Sequence, residues 1–131
     1  MLSVSCEDNG VTSENISLAG NYDLVSMYNK DEQITYVAGQ PIIKGMLSVT
    51  MSGDLVLTDK TYSTLFETKV TIGDSTETTQ LTDHGTYEII DDSNLKCISE
   101  ENNGTTSMSY LVQDDNLTLE DENAKTVWKK R

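Results

Sequence analysis

Residues Tyr110 to Asp121 read YLVQDDNLTLED, and residues Tyr87 to Ser99 read YEIIDDSNLKCIS. Both place a tyrosine, an apolar residue two positions on, an Asp-Asp pair, then Asn-Leu and a second alternating run. Asp and Asn tolerate left-handed backbone and bond their own main chain, so each cluster is a turn and each stretch a β-hairpin. The doubled sentence is a doubled hairpin.

Working outward, Tyr87 and Ile89 lead into the turn Asp91-Asp92-Ser93-Asn94, and Leu95 and Cys97 return. Asn102-Asn103-Gly104 turns into Met108, Tyr110 and Val112; Asp114-Asp115-Asn116 turns into Leu117 and Leu119; a last strand holds Thr126 to Lys130. Upstream, Tyr62 to Ile72 is the longest strand candidate. Its Tyr62, Phe66, Val70 and Ile72 share one face with Thr64 and Thr68, because side chains alternate across a strand. Gly73-Asp74 is a turn signal, followed by a weak polar strand over Thr76 to Leu81, and His84-Gly85 reads as a turn. Leu47, Val49 and Met51 form another period-2 run. Ser52-Gly53-Asp54 reads as a turn into a short return run, Leu55 to Leu57. Tyr22, Leu24, Ser26 and Tyr28 alternate with Asp23, Val25 and Met27. The connection from Asn29 to Gly45 carries the only proline, Pro41, and fits a folded-over loop, a short helix or an edge strand.

About eight strands with turns every 8–12 residues or so, and no strong helical period, predict an all-β antiparallel up-and-down meander. Closure on itself is the arrangement that removes exposed edges from such a meander, giving a β-barrel; a two-sheet sandwich is the rival. The chain has 131 residues, one domain's worth, with a modest 36% hydrophobic content and abundant Ser and Thr. Residues 1–17 lack a sustained apolar period and read as a flexible tether, and the barrel is expected over 18–131.

The balance of 22 acidic against 9 basic residues gives a net charge of −13. Phosphate backbones would be repelled, so nucleic acid is excluded as a partner class. No run approaches the roughly 18 apolar residues of a membrane helix. Near the start, MLSVSCEDNG sets small residues before Cys6 and an acidic, polar tail after it. That pattern resembles the processing site of bacterial lipoproteins, with Ser3 where a larger aliphatic residue is usual. It implies Cys6 as a lipid attachment point, contact with a membrane only through that anchor, and an extracytoplasmic location at the cell surface or in the periplasm. Cys97 lies at an apolar-alternating position and reads as a small buried thiol, a bridge to Cys6 being the alternative.

Beyond these patterns, LAGNYDLVS (Leu18 to Ser26) resembles the G-x-W opening of the lipocalins, with Tyr22 where tryptophan is usual. GTYEI (Gly85 to Ile89), the turn before Asn94-Leu95, NLTL (Asn116 to Leu119) and the closing TVWKKR together resemble bacterial lipocalin-like domains, calycin-type barrels often carried on secreted lipoproteins. The resemblance implies a floor closed by Arg131 or Lys129 packed over Tyr22, the attraction of a cation for a ring face. The length is similar to that of intracellular fatty-acid-binding proteins. Their two-helix lid is not recognisable here, and their carboxylate clamp would fall on Thr126-Val127-Trp128.

Signals for catalysis are weak. His84 is the single histidine and reads as a solvated loop residue; no metal-protease, paired-cysteine or phosphate-loop motif occurs. The Asp91-Asp92 and Asp114-Asp115 pairs read as turn residues rather than the spaced ligands of a calcium loop. No enzyme activity, metal or other cofactor is expected. The period-2 positions Tyr62, Phe66, Val70, Tyr87, Met108 and Tyr110 are expected to face the interior. Apolar walls with a few hydroxyls line small-molecule sites, and such side chains also simply fill small barrels. A small hydrophobic or amphipathic ligand is the first functional reading. A scaffold module binding an envelope protein or a saccharide is the second.

Overall fold

Alternation of apolar and polar side chains gives each segment one face to hide, and ten strands hide those faces together. A computed structural model describes residues 17–131, so Cys6 and most of the tether lie outside the described residues. The strands are β1 (Gly20–Asn29), β2 (Ile34–Val37), β3 (Ile42–Lys44), β4 (Leu47–Leu57), β5 (Thr61–Ile72), β6 (Ser75–Ile89), β7 (Asn94–Ser99), β8 (Thr105–Gln113), β9 (Asn116–Glu120) and β10 (Ala124–Lys130). Every pairing is antiparallel. From β4 to β10 each strand bonds the next, and β1 bonds both β10 and β4. The meander therefore closes into an eight-stranded barrel with β2 and β3 as additions, an architecture compatible with the lipocalin-like fold. The doubled hairpins are β6–β7 and β8–β9.

Closure is a ladder on both sides of β1. Tyr22 pairs with Lys130 and Leu24 with Trp128, while Gly20 to Asp23 pair with Leu57 to Asp54. The last residue secures this seam: the Arg131 amide donates to the Asn21 carbonyl at 2.9 Å, and its guanidinium grips Asp23 and Asp54 on the outer surface. The expected placement of Arg131 or Lys129 over Tyr22 is thus corrected, Lys129 being exposed and next to the buried Trp128. Tyr22 is 4% exposed and points inward, so Arg131, on the other face of the sheet, finds carboxylates instead.

Three local readings change. Ser52-Gly53-Asp54 is no turn. β4 runs unbroken, all eleven of its residues pairing with β5, and Gly53 sits opposite Phe66 without a left-handed φ. A Cβ there would lie 3.3 Å from the Leu24 Cβ, so the glycine serves as an inward gap between two large side chains. Likewise β6 is continuous for 15 residues, which places His84 in mid-strand, exposed, its Nδ1 3.3 Å from Glu101. In β1 a bulge between Leu24 and Ser26 adds one residue against β10. An extra residue reverses the in/out alternation, so Met27, not Ser26, faces inward beyond it. The Asn29–Gly45 connection becomes two short edge strands, β2 on β1 and β3 on β4.

The core lies at the end where β1 and β9 begin and β4 and β10 finish. Leu18, Tyr22, Leu57, Leu95, Leu117 and Trp128 are buried there. Leu18, just ahead of β1, is fastened by the Tyr22 hydroxyl, which donates to its carbonyl at 2.7 Å. Tyr87 reaches the β4–β5 turn and donates to the Thr58 carbonyl at 2.6 Å. Away from this floor, β6 from Ser75 to Thr82 pairs with β5 alone, so β4, β5 and β6 extend past the rim as a sheet.

Strands β6 and β7 leave no room for a side chain at Gly85, where an added Cβ would stand 2.0 Å from the Ile98 carbonyl oxygen. No flexible side chain can yield there, so backbone must move. Gly85→Ala is expected to lower stability by about 3 kcal/mol, the upper range for overpacking. A reduced urea midpoint at unchanged slope checks it.

Candidate functional site

Strand parity aims Leu55 and Leu57 of β4, Tyr62, Thr64 and Phe66 of β5, and Asp83 and Tyr87 of β6 at one interior. Leu95, Cys97 and Ser99 of β7, Thr106 and Met108 of β8, Leu119 of β9, and Thr126 and Trp128 of β10 complete the ring. These side chains do not fill the space. They enclose a cavity of about 400 Å³, within the ~300–1,000 Å³ typical of small-molecule sites. Asn102, Gly104, Asp121 and Ala124, from or beside the β7–β8 and β9–β10 turns, mark its mouth at the end opposite the buried floor.

Much of the wall is apolar. Phe66 and Trp128 meet edge to face, ring centroids 5.6 Å apart at 64°, a geometry that suits the ring quadrupoles. Trp128 is 1% exposed, and its indole Nε1 donates to Thr126 Oγ1 at 2.8 Å, so its one polar atom is satisfied. Such a wall offers dispersion and water exclusion rather than hydrogen bonds.

Polarity enters from β5, β6 and β7. The carboxylate of Asp83 accepts from the Tyr62 hydroxyl at 3.0 Å and from Ser99 Oγ at 2.5 Å, one bond to each oxygen. Thr64 Oγ1 donates to the Asp83 backbone carbonyl at 3.3 Å, and Ser99 Oγ accepts the Glu101 amide at 3.1 Å. Tyr62, Ser99 and Asp83 form one locked unit, since each group's partner is itself held by another strand. Burial, then the bond to Asp83, pushes the Tyr62 hydroxyl up to about 12. Burial also pushes the Cys97 thiol up to about 11, with the Asp83 charge adding to it, so little reactive thiolate exists at neutral pH.

Of the residues expected to face the interior, Tyr62, Phe66, Tyr87 and Met108 line the cavity. Val70 shares their face but lies on the β5 extension beyond the rim. Tyr110 lies near the floor, its hydroxyl donating to the Asp91 carbonyl at 3.0 Å. Asp83, Ser99 and the leucines of β4 escaped the sequence reading. Counting back by twos from Tyr87 reaches Asp83, but Asp-His-Gly looked like a turn. The aspartate turns keep local duties: Asp91 Oδ1 accepts the Ser93 amide at 2.8 Å and the Asn94 side chain. Asp114 adopts a left-handed φ of 56° between β8 and β9. Among the described residues no three His, Cys, Asp or Glu side chains converge as metal ligands.

No family model, curated protein or solved structure matches this chain.

The Tyr62 shift has a sign that can be tested. The unfolded chain releases this proton near the ordinary value of 10.0, the folded protein only near 12. Between those values the unfolded state binds fewer protons, so stability is whole below about pH 10 and falls as pH rises through about 12. Tyr62→Phe is expected to flatten that alkaline loss and to remove a late-ionising tyrosine from the ultraviolet titration. Urea midpoints across that pH range check the first outcome, tyrosinate absorbance the second.

Proposed function

We propose that this protein is a lipocalin-like barrel that binds a small hydrophobic or amphipathic molecule outside the cytoplasm. The observation that carries the reading is the cavity itself, about 400 Å³ behind an open mouth, walled by aromatic and aliphatic side chains with a few polar groups among them. Leaving such a space empty sacrifices packing at every wall atom, since cavities in cores are destabilising in proportion to their volume. A barrel selected only as a scaffold gains by filling it; one selected to carry a guest has reason to keep it. The extracytoplasmic location draws its support from the small-residue run before Cys6 and the acidic tail after it. The proposal is of binding without catalysis.

The order of lining residues suits an elongated guest. Its apolar part would lie against Phe66, Trp128, Leu55 and Leu95. Its polar end would remain beside Asp83, Thr106 and Asp121 near the mouth. Such burial is worth about 25 cal/mol for each Å² of apolar surface withdrawn from water.

N-phenyl-1-naphthylamine, a neutral apolar dye, is expected to bind saturably at one site per chain and to quench Trp128 fluorescence. Met108→Trp, which places a larger side chain in the cavity, should weaken that binding by about tenfold, equivalent to about 1.4 kcal/mol. Folded protein showing no saturable uptake of the dye would defeat the proposal. A second readout uses Cys97. Bound dye is expected to slow its alkylation by iodoacetamide, followed by mass spectrometry of the peptide that contains it.

A further inference from the structure

The charges of the cavity wall are all of one sign. Its titratable carboxylates are Asp83 and Asp121, and among the described residues no lysine, arginine or histidine side chain lines it. One cation beside the mouth, Lys125, falls between the lining residues Ala124 and Thr126 and is not itself in the wall, and another, Lys30, is already committed. Lys30 Nζ lies 2.9 Å from Glu120 Oε2 and donates to the Asp121 backbone carbonyl at 2.7 Å, and this pairing holds the Glu120 carboxyl below its usual value.

From this we infer that the guest is a cationic amphiphile, an apolar chain ending in an ammonium or similar head, and that fatty-acid-like anions are rejected. The inference rests on the cavity-binding reading above and adds the charge of the ligand to it. Asp83 can receive such a head. Its two oxygens accept one hydrogen bond each, from Tyr62 and Ser99, whereas a carboxylate offers about four lone-pair sites. Both donors are fixed by packing, so the carboxylate is oriented before any ligand arrives. Asp121 is similarly held, its Oδ1 accepting the Asn123 and Ala124 amides at 2.8 and 2.9 Å, which leaves Oδ2 without a hydrogen-bond partner among the described residues. An anionic head beside these groups would face two like charges in a partly dry space, and the basic group next to them, Lys30, is already paired with Glu120. The net charge of −13 acts in the same direction at long range and steers cations toward the chain.

The test displaces N-phenyl-1-naphthylamine with three twelve-carbon chains below their micelle thresholds: dodecylammonium, dodecanol and laurate. Wild-type protein should release the dye at dodecylammonium concentrations at least tenfold below those of laurate, with dodecanol between them. Asp83→Asn should erase most of that ratio. Asp121→Asn, which keeps the oxygen that caps its turn, should reduce it and serves as the informative variant should Asp83→Asn fail to fold. Glu88→Gln, an exposed change outside the cavity, should leave the ratio unaltered and so separates local recognition from overall charge. Laurate equal to or stronger than dodecylammonium, or a ratio that follows Glu88→Gln as closely as Asp83→Asn, overturns the inference while the cavity-binding reading stands. Failure of the dye itself to bind defeats that reading instead.

Discussion

The structure depends on the double pairing of β1. One short strand bonds the last strand on one side and β4 on the other, and without it the meander is an open sheet with two exposed edges. Edge strands invite association with other chains, and closure removes them from the barrel wall. The constraint is geometric: Leu24 must lie opposite Trp128 and Tyr22 opposite Leu55 at once. That brings four buried side chains together along the seam and makes closing it and building the core a single event. The exposed ion pairs of Arg131 decorate this seam; exposed pairs are individually worth little. Burial and the paired backbone carry it.

An asymmetry along the barrel axis follows. Where β1 meets β4, large side chains converge, and Leu18 seals the end from below. Towards the other end β1 bulges and its neighbour on that side changes from β4 to β2, while β4 takes β3. The strands part instead of converging, and side chains there are smaller or polar: Thr64, Thr106, Thr126 and Ser99. A cavity results from this taper. The same taper suits the polar unit of Tyr62, Asp83 and Ser99, whose Ser99 ends β7 beside the turn at the mouth. A carboxylate is tolerated where water remains within reach, and it would be costly on the dry floor.

Much of the architecture was legible in the residues alone. Turn chemistry at Asp91–Asn94, Asn102–Gly104 and Asp114–Asn116 marks three reversals, and period-2 spacing marks the strands between them. Both are local effects, set by backbone conformation within a few residues. The misread places are those where one residue type serves two purposes. Gly53 and Gly85 look like turn glycines, yet each sits inside a strand, where a neighbour leaves little room for a Cβ at Gly53 and none at Gly85. That neighbour is Leu24 or Ile98, far away in sequence, so no local pattern announces it. The bulge in β1 is similar, since only the partner strand reveals that one residue is extra.

For the site, strand parity was enough to aim Tyr62, Phe66, Tyr87 and Met108 inward, because alternation is a property of the extended chain itself. Tertiary structure alone decided whether those side chains meet or stand apart. It set the stagger between strands, and hence the empty volume, and it brought Tyr62, Asp83 and Ser99 from three strands onto one carboxylate. It also sent Arg131 outward to Asp23 and Asp54. Alternation of side chains can be read along one strand, whereas the width of a barrel belongs to all eight together.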